Sequence, residues 1–101
     1  MPIPVNLESF LQTLDKGHPP EGWPETLRAL WYAGAGNWEA SHALAQDIQG
    51  DTGSWIHAYL HRVEGDRWNA GYWYDRARRP FPTSTLNEEF ETLVRFVLHL
   101  S

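Results

Sequence analysis

The sequence contains no cysteine, which removes disulfides, thiolate metal sites and cysteine nucleophiles together. That composition suits a reducing cytoplasm, the expected location. No apolar run approaches the roughly 20 residues needed to cross a bilayer. The longest, "LVRFVLHL", is interrupted by Arg95 and His99. The N-terminal "MPIPVNLESF" lacks the basic and apolar regions of a secretory signal peptide. Positive charge is not in excess either: the formal net charge is −5, which argues against general binding to nucleic-acid phosphates. No segment alternates in the manner of a half-buried strand.

What is present is an aromatic-rich chain. Six Trp, four Tyr and four Phe stand in 101 residues, and 42 % of positions are apolar. Aromatic side chains bury large areas, so one domain over 1–101 can fold without cross-links.

Helical punctuation recurs along the whole chain. Asn6 caps a first helix carrying Leu7, Phe10, Leu11 and Leu14, ended by Gly17. Pro24 begins a second with Leu27, Leu30 and Trp31 on one face, dissolving at Gly34–Gly36. Asn37 opens a third, with Trp38, Ser41, Ala45 and Ile48 inward, running to Gly50. Asp51 or Thr52 caps a fourth that reaches Gly65, and Asp66 caps a fifth that Pro80 and Pro82 terminate. The capping-box pattern Thr85-x-x-Glu88 starts a sixth, with Leu86, Phe90, Leu93, Val94, Val97 and Leu100 on its core side. The expected fold is all-α: six helices in stacked antiparallel hairpins, with hairpin units at about 24–50 and 52–80 flanked by terminal helices.

Two short stretches repeat. "GNWEAS" (Gly36–Ser41) and "GDRWNA" (Gly65–Ala70) lie 29 residues apart and share a glycine, a cap, three residues and a small residue. Gly65, Asp66, Ala70, Tyr74, Ala77 and Pro82, with Ala58 before them, resemble the turn, packing and closing positions of a tetratricopeptide-type hairpin. His57 stands where that family uses a large apolar residue, and the first copy offers only Ser41, Ala45 and Ile48. The 29-residue spacing is shorter than the usual repeat of about 34. The resemblance therefore implies a compact, right-handed bundle of hairpins rather than a long solenoid. From Gly36 to Arg79 the chain also resembles a group of short bacterial proteins with no assigned activity, through "WIHAYLHR" and "YWY"; it departs from them at Asn37, Ser41 and Asp75. That likeness implies architecture and carries no function.

Two residue sets could carry chemistry. His57 and His61 are four apart on one helix, and an antiparallel neighbour brings His42 to their level, with Glu64 extending the stripe. His42, His57, His61 and Glu64 are a donor set suited to a divalent transition metal such as zinc, iron or nickel. The H-E-x-x-H protease motif is absent, because Ala58 follows the first histidine. Projection at 100° per residue puts Trp55, Ile56, Tyr59, Leu60 and Val63 on one arc and the histidines on the other, so the expectation is accessible, co-facial histidines on an ordinary polar helix face or in inter-helix hydrogen bonds.

The second set is Trp68, Tyr72, Arg76 and Arg79, on the side of the fifth helix away from Ala70, Trp73, Tyr74 and Ala77. Trp, Tyr and Arg are the residues that dominate protein-binding hot spots. The competing readings are cover by the sixth helix, arginines complementing a helix C-terminus, or stacking on single-stranded bases, the last disfavoured by the net charge of −5. Glu88, Glu89 and Glu91 read as favourable charge at a helix N-terminus, not as acid–base catalysts. The serines have no nucleophile-elbow context and "GAG" is no phosphate loop. The functional expectation is a non-enzymatic interaction or self-associating module with a protein partner, the alternative being a metal- or ligand-binding protein.

Overall fold

A computed structural model describes residues 3–100; Met1, Pro2 and Ser101, at the ends of the expected 1–101 domain, lie outside the described residues. Among those described there are six α-helices, one 3₁₀ turn and no strand: α1 (Leu7–Gln12), the turn (Thr13–Asp15), α2 (Glu25–Gly34), α3 (Trp38–Ala45), α4 (Gly50–Val63), α5 (Arg67–Ala77) and α6 (Leu86–Leu100). No helix among the described residues is long and apolar enough to cross a membrane.

The polar caps work locally. Asn6 Oδ1 accepts from the Ser9 amide at 2.8 Å, Asn37 Oδ1 from Ala40 at 3.1 Å and Asp66 Oδ1 from Asn69 at 3.1 Å. At α6 the capping box closes in both directions, Glu88 N to Thr85 Oγ1 and Thr85 N to Glu88 Oε1. Each cap satisfies an amide that the helix cannot pair, worth about 1 kcal/mol.

Helix ends differ from the sequence expectation wherever tertiary contacts outbid local signals. The first helix tightens into the 3₁₀ turn after Gln12 rather than running to Gly17, because Thr13 is held on both sides: its hydroxyl donates to Phe10 O and its carbonyl accepts from Trp31 Nε1. Pro24 is the N-cap of α2, one residue outside it. The third helix stops at Ala45, and α4 starts at Gly50, ahead of the expected caps Asp51 and Thr52. Gly53 explains that junction, since a Cβ there would collide with the Ile48 carbonyl oxygen; the connecting chain lies directly against the helix. Before the prolines are reached, α5 has already ended in a left-handed residue, Arg78, at φ 60°.

Two antiparallel hairpins result. In α2–α3, Ser41 Oγ donates to Ala29 O at 2.7 Å. In α4–α5, Asp51 at one end meets Arg78 at the other, and His57 faces Trp73 midway. Trp38 Nε1 joins the hairpins by donating to Leu60 O at 2.7 Å. Packed against α1, α2 and α4, α6 buries Phe90, Leu93, Val94 and Val97, whereas Leu86 and Leu100, expected inside, are exposed at its ends. Burying each large apolar side chain contributes about 1.5–3 kcal/mol.

The centre of the fold is α4. Trp55 through Leu60 are six consecutive buried residues, so this helix is covered on all sides and not split into apolar and polar arcs. That corrects the expectation for His57, which is only 6 % exposed, and for Val63, which is exposed.

Glu89 also departs from its expected place. It is 3 % exposed and accepts from Trp55 Nε1 at 3.1 Å, Tyr74 Oη at 2.5 Å and Arg62 at 2.8 Å. Arg62 donates onward to Ser84 O. One carboxylate thereby ties α4, α5 and the start of α6 together. Burial and then the hydrogen bond to Glu89 push the Tyr74 phenol far up. Burial, then the Glu89 charge, raises Tyr59 to about 12.

Candidate functional site

The antiparallel register of α3 and α4 brings His42 beside His57 and His61, as the sequence led us to expect. The His42 and His57 Nε2 atoms are 3.0 Å apart, one donating to the other. Ring centroids are separated by 4.6 Å (His42–His57), 4.9 Å (His57–His61) and 5.4 Å (His42–His61). One ligand nitrogen from each of the three lies within 4.8 Å of the others.

Two tryptophans hold the outer sides of this cluster. Trp38, one helical turn before His42, stacks on it at 4.7 Å and 9°. Trp73 of α5 stacks on His57 at 3.8 Å and 16°. Aromatic stacking of this kind adds about 0.5–1.5 kcal/mol beyond burial. The Trp38–His42 pair is visible in sequence as an i, i+4 spacing, but Trp73 is brought in by the hairpin.

Glu64 does not join the three imidazoles. Its carboxylate lies behind His61, with Oε2 2.6 Å from His61 Nδ1. A carboxylate acceptor there fixes the Nδ1–H form of His61. Asp66 shares that neighbourhood but is engaged as the α5 cap, accepting from both the backbone and the side chain of Asn69.

Two members of the cluster, His57 and His42, resist protons. Burial, followed by the neighbouring His42 and His61, lowers His57 to about 4. Burial and then His61 lower His42 also, against an opposing pull from Glu64. His57 Nδ1, buried, has no hydrogen-bond partner. His42 and His57 can thus present neutral imidazole lone pairs at ordinary pH.

The second candidate set is divided by the structure. Trp68 is 80 % exposed and Tyr72 48 % exposed. Arg76 is exposed beside them, donating to Tyr72 Oη at 3.3 Å and lying 5.2 Å over the Trp73 ring. Arg79 leaves this stripe. Its guanidinium lies 3.5 Å over the Trp55 ring and 5.0 Å over Phe96 of α6, because the left-handed Arg78 turns the chain inward. The expected reading of Arg79 as part of the outer face is corrected to a buried-side cation–π contact. Arg67 and Phe81, stacked 4.2 Å apart, replace it and line a shallow groove with Trp68, Gly71, Tyr72 and Asp75.

Comparison of the chain with protein-family models, with curated proteins and with solved structures finds no match.

Proposed function

We propose that this chain is a non-enzymatic helical-hairpin module of the tetratricopeptide type, right-handed in its stacking and cytoplasmic, whose α5 outer face docks an acidic protein surface. The observation that carries the reading is Trp68, four-fifths exposed on a helix whose other side is fully engaged. Trp68, Tyr72 and Arg76 follow one another at i, i+4 and i+8, giving a continuous stripe of the residue types that dominate interface energetics. The charge distribution supports an acidic counterpart. Residues 62–79 hold five of the eight basic side chains and three of the thirteen acidic ones, so the rest of this acidic protein, and hence a second copy, complements the face. Electrostatic matching of this kind sets specificity and association rate.

Sedimentation at graded salt, alongside affinity capture from the native cell, tests the reading with wild type and a Trp68→Ala/Tyr72→Ala variant. Self-association, or retention of an acidic partner, is expected for wild type, weakening with salt and disappearing in the variant. A monomer that retains nothing in a Trp68- and Tyr72-dependent manner overturns it.

A further inference from the structure

We infer that His42, His57 and His61 form a binding site for one divalent transition-metal ion of the zinc class, held by three imidazoles from α3 and α4. This inference is independent of the docking face and needs neither Trp68 nor Tyr72.

The geometry is close to that of a loaded site. Zinc–nitrogen bonds of about 2 Å in a tetrahedral array place ligand nitrogens about 3.3 Å apart. His42 and His57 are already at 3.0 Å. All three ligand nitrogens fall within 4.8 Å, so small side-chain rotations bring the third into range. Two of the donors share a helix at i, i+4, and the third comes from the neighbouring helix pinned by the Trp38–Leu60 hydrogen bond.

Two further observations separate this cluster from histidines that merely fill space. His61 gives Nδ1 to Glu64, which leaves Nε2 as its lone-pair nitrogen; a carboxylate behind a ligating imidazole is the usual support of a metal site. The Trp38 and Trp73 stacks fix the planes of His42 and His57, so the donors are oriented before an ion arrives.

The donor set also selects the ion. Three neutral nitrogens suit zinc, nickel, copper or cobalt and discriminate against magnesium and calcium, which demand oxygen. Three protein ligands leave a tetrahedral ion one further position, for water or another small donor.

The test is titration of the purified chain with Zn²⁺, and separately Co²⁺ and Mg²⁺, followed by calorimetry and by the imidazole NMR signals. One equivalent of Zn²⁺ or Co²⁺ is expected to bind and to shift the resonances of His42, His57 and His61 while leaving those of His18 and His99 in place; Mg²⁺ should do neither. His42→Ala should weaken zinc by at least roughly tenfold, and Glu64→Gln by roughly 10- to 100-fold, as carboxylates behind metal-bound histidines do. His99→Ala should bind as wild type. Circular dichroism establishes that each variant is folded. Should His42→Ala unfold, Glu64→Gln and the wild-type NMR shifts decide alone. Failure to bind zinc, equal affinity in the folded His42→Ala and Glu64→Gln chains, or shifts confined to His18 and His99 would each overturn the site.

Discussion

Two polar clusters pack against α4, and they are built on opposite terms. Around Glu89, each carboxylate oxygen is engaged, by Trp55 and Tyr74 on one and Arg62 on the other. Around His57, three imidazoles crowd together and one buried nitrogen is left over. A satisfied network rigidifies a fold, while a partly satisfied one is costly to keep. The difference is one of role: the complete network around Glu89 holds helices together, and the imidazoles around His57, whose ring nitrogens lie close together, are where a ligand is proposed.

The sharpest way to break this comparison is to empty the first cluster. Glu89→Ala leaves Arg62 charged and half-buried beside two unpaired donors, and should cost about 3–5 kcal/mol in urea unfolding. A loss below about 1 kcal/mol would show that Glu89 is not the structural partner in the contrast. Next in size is the pH response of chelator-treated protein. His57 titrates at about 4 when folded, against 6.5 ordinarily, so between those values the unfolded chain holds the extra proton. Stability should be full above pH 6.5, fall by roughly 2–4 kcal/mol as pH drops towards 4, and level off below. Comparing wild type with His57→Gln across this range isolates the contribution, and an identical slope in both would remove it.

Smaller effects refine the picture. Trp38→Phe keeps the ring against His42 but loses the indole bond to Leu60 O, and should cost about 1 kcal/mol. The Arg78–Asp51 pair supplies the opposite extreme to Arg62–Glu89, since both its partners are open to solvent. Arg78→Ala should leave the urea midpoint unchanged within error. A sizeable shift there would mean that burial is not what distinguishes the two ion pairs.

What could be read in advance follows the range of the forces involved. Asn6, Asn37, Asp66 and the Thr85/Glu88 box act within three residues, so the all-helical plan was legible from the sequence. The approach of His42 to His57 and His61 was legible too, because a short link between helices forces antiparallel register. Glu89 was not. Its side chain is chemically like those of Glu88 and Glu91, and its three donors lie 15, 27 and 34 residues away. His57 was placed on the correct helix but assigned to the wrong environment, since a helical projection distinguishes faces and does not show that a neighbour covers both. Arg79 was misplaced because only the three-dimensional turn at Arg78 tells that the helical stripe has ended.

Gly53 has a consequence that reaches beyond its own turn. With no side chain, it lets Ile48, in the link from α3, rest directly on α4, and so sets how closely that link approaches. It acts as a shim: its near-zero width sets the alignment of two long parts at a point well away from it. One added methyl would lift the link, and the error would be read out about 6 Å off, the rise of four helical residues, as a His42 no longer level with His57. The most exacting dimension of the histidine cluster is therefore set by the smallest residue in the chain.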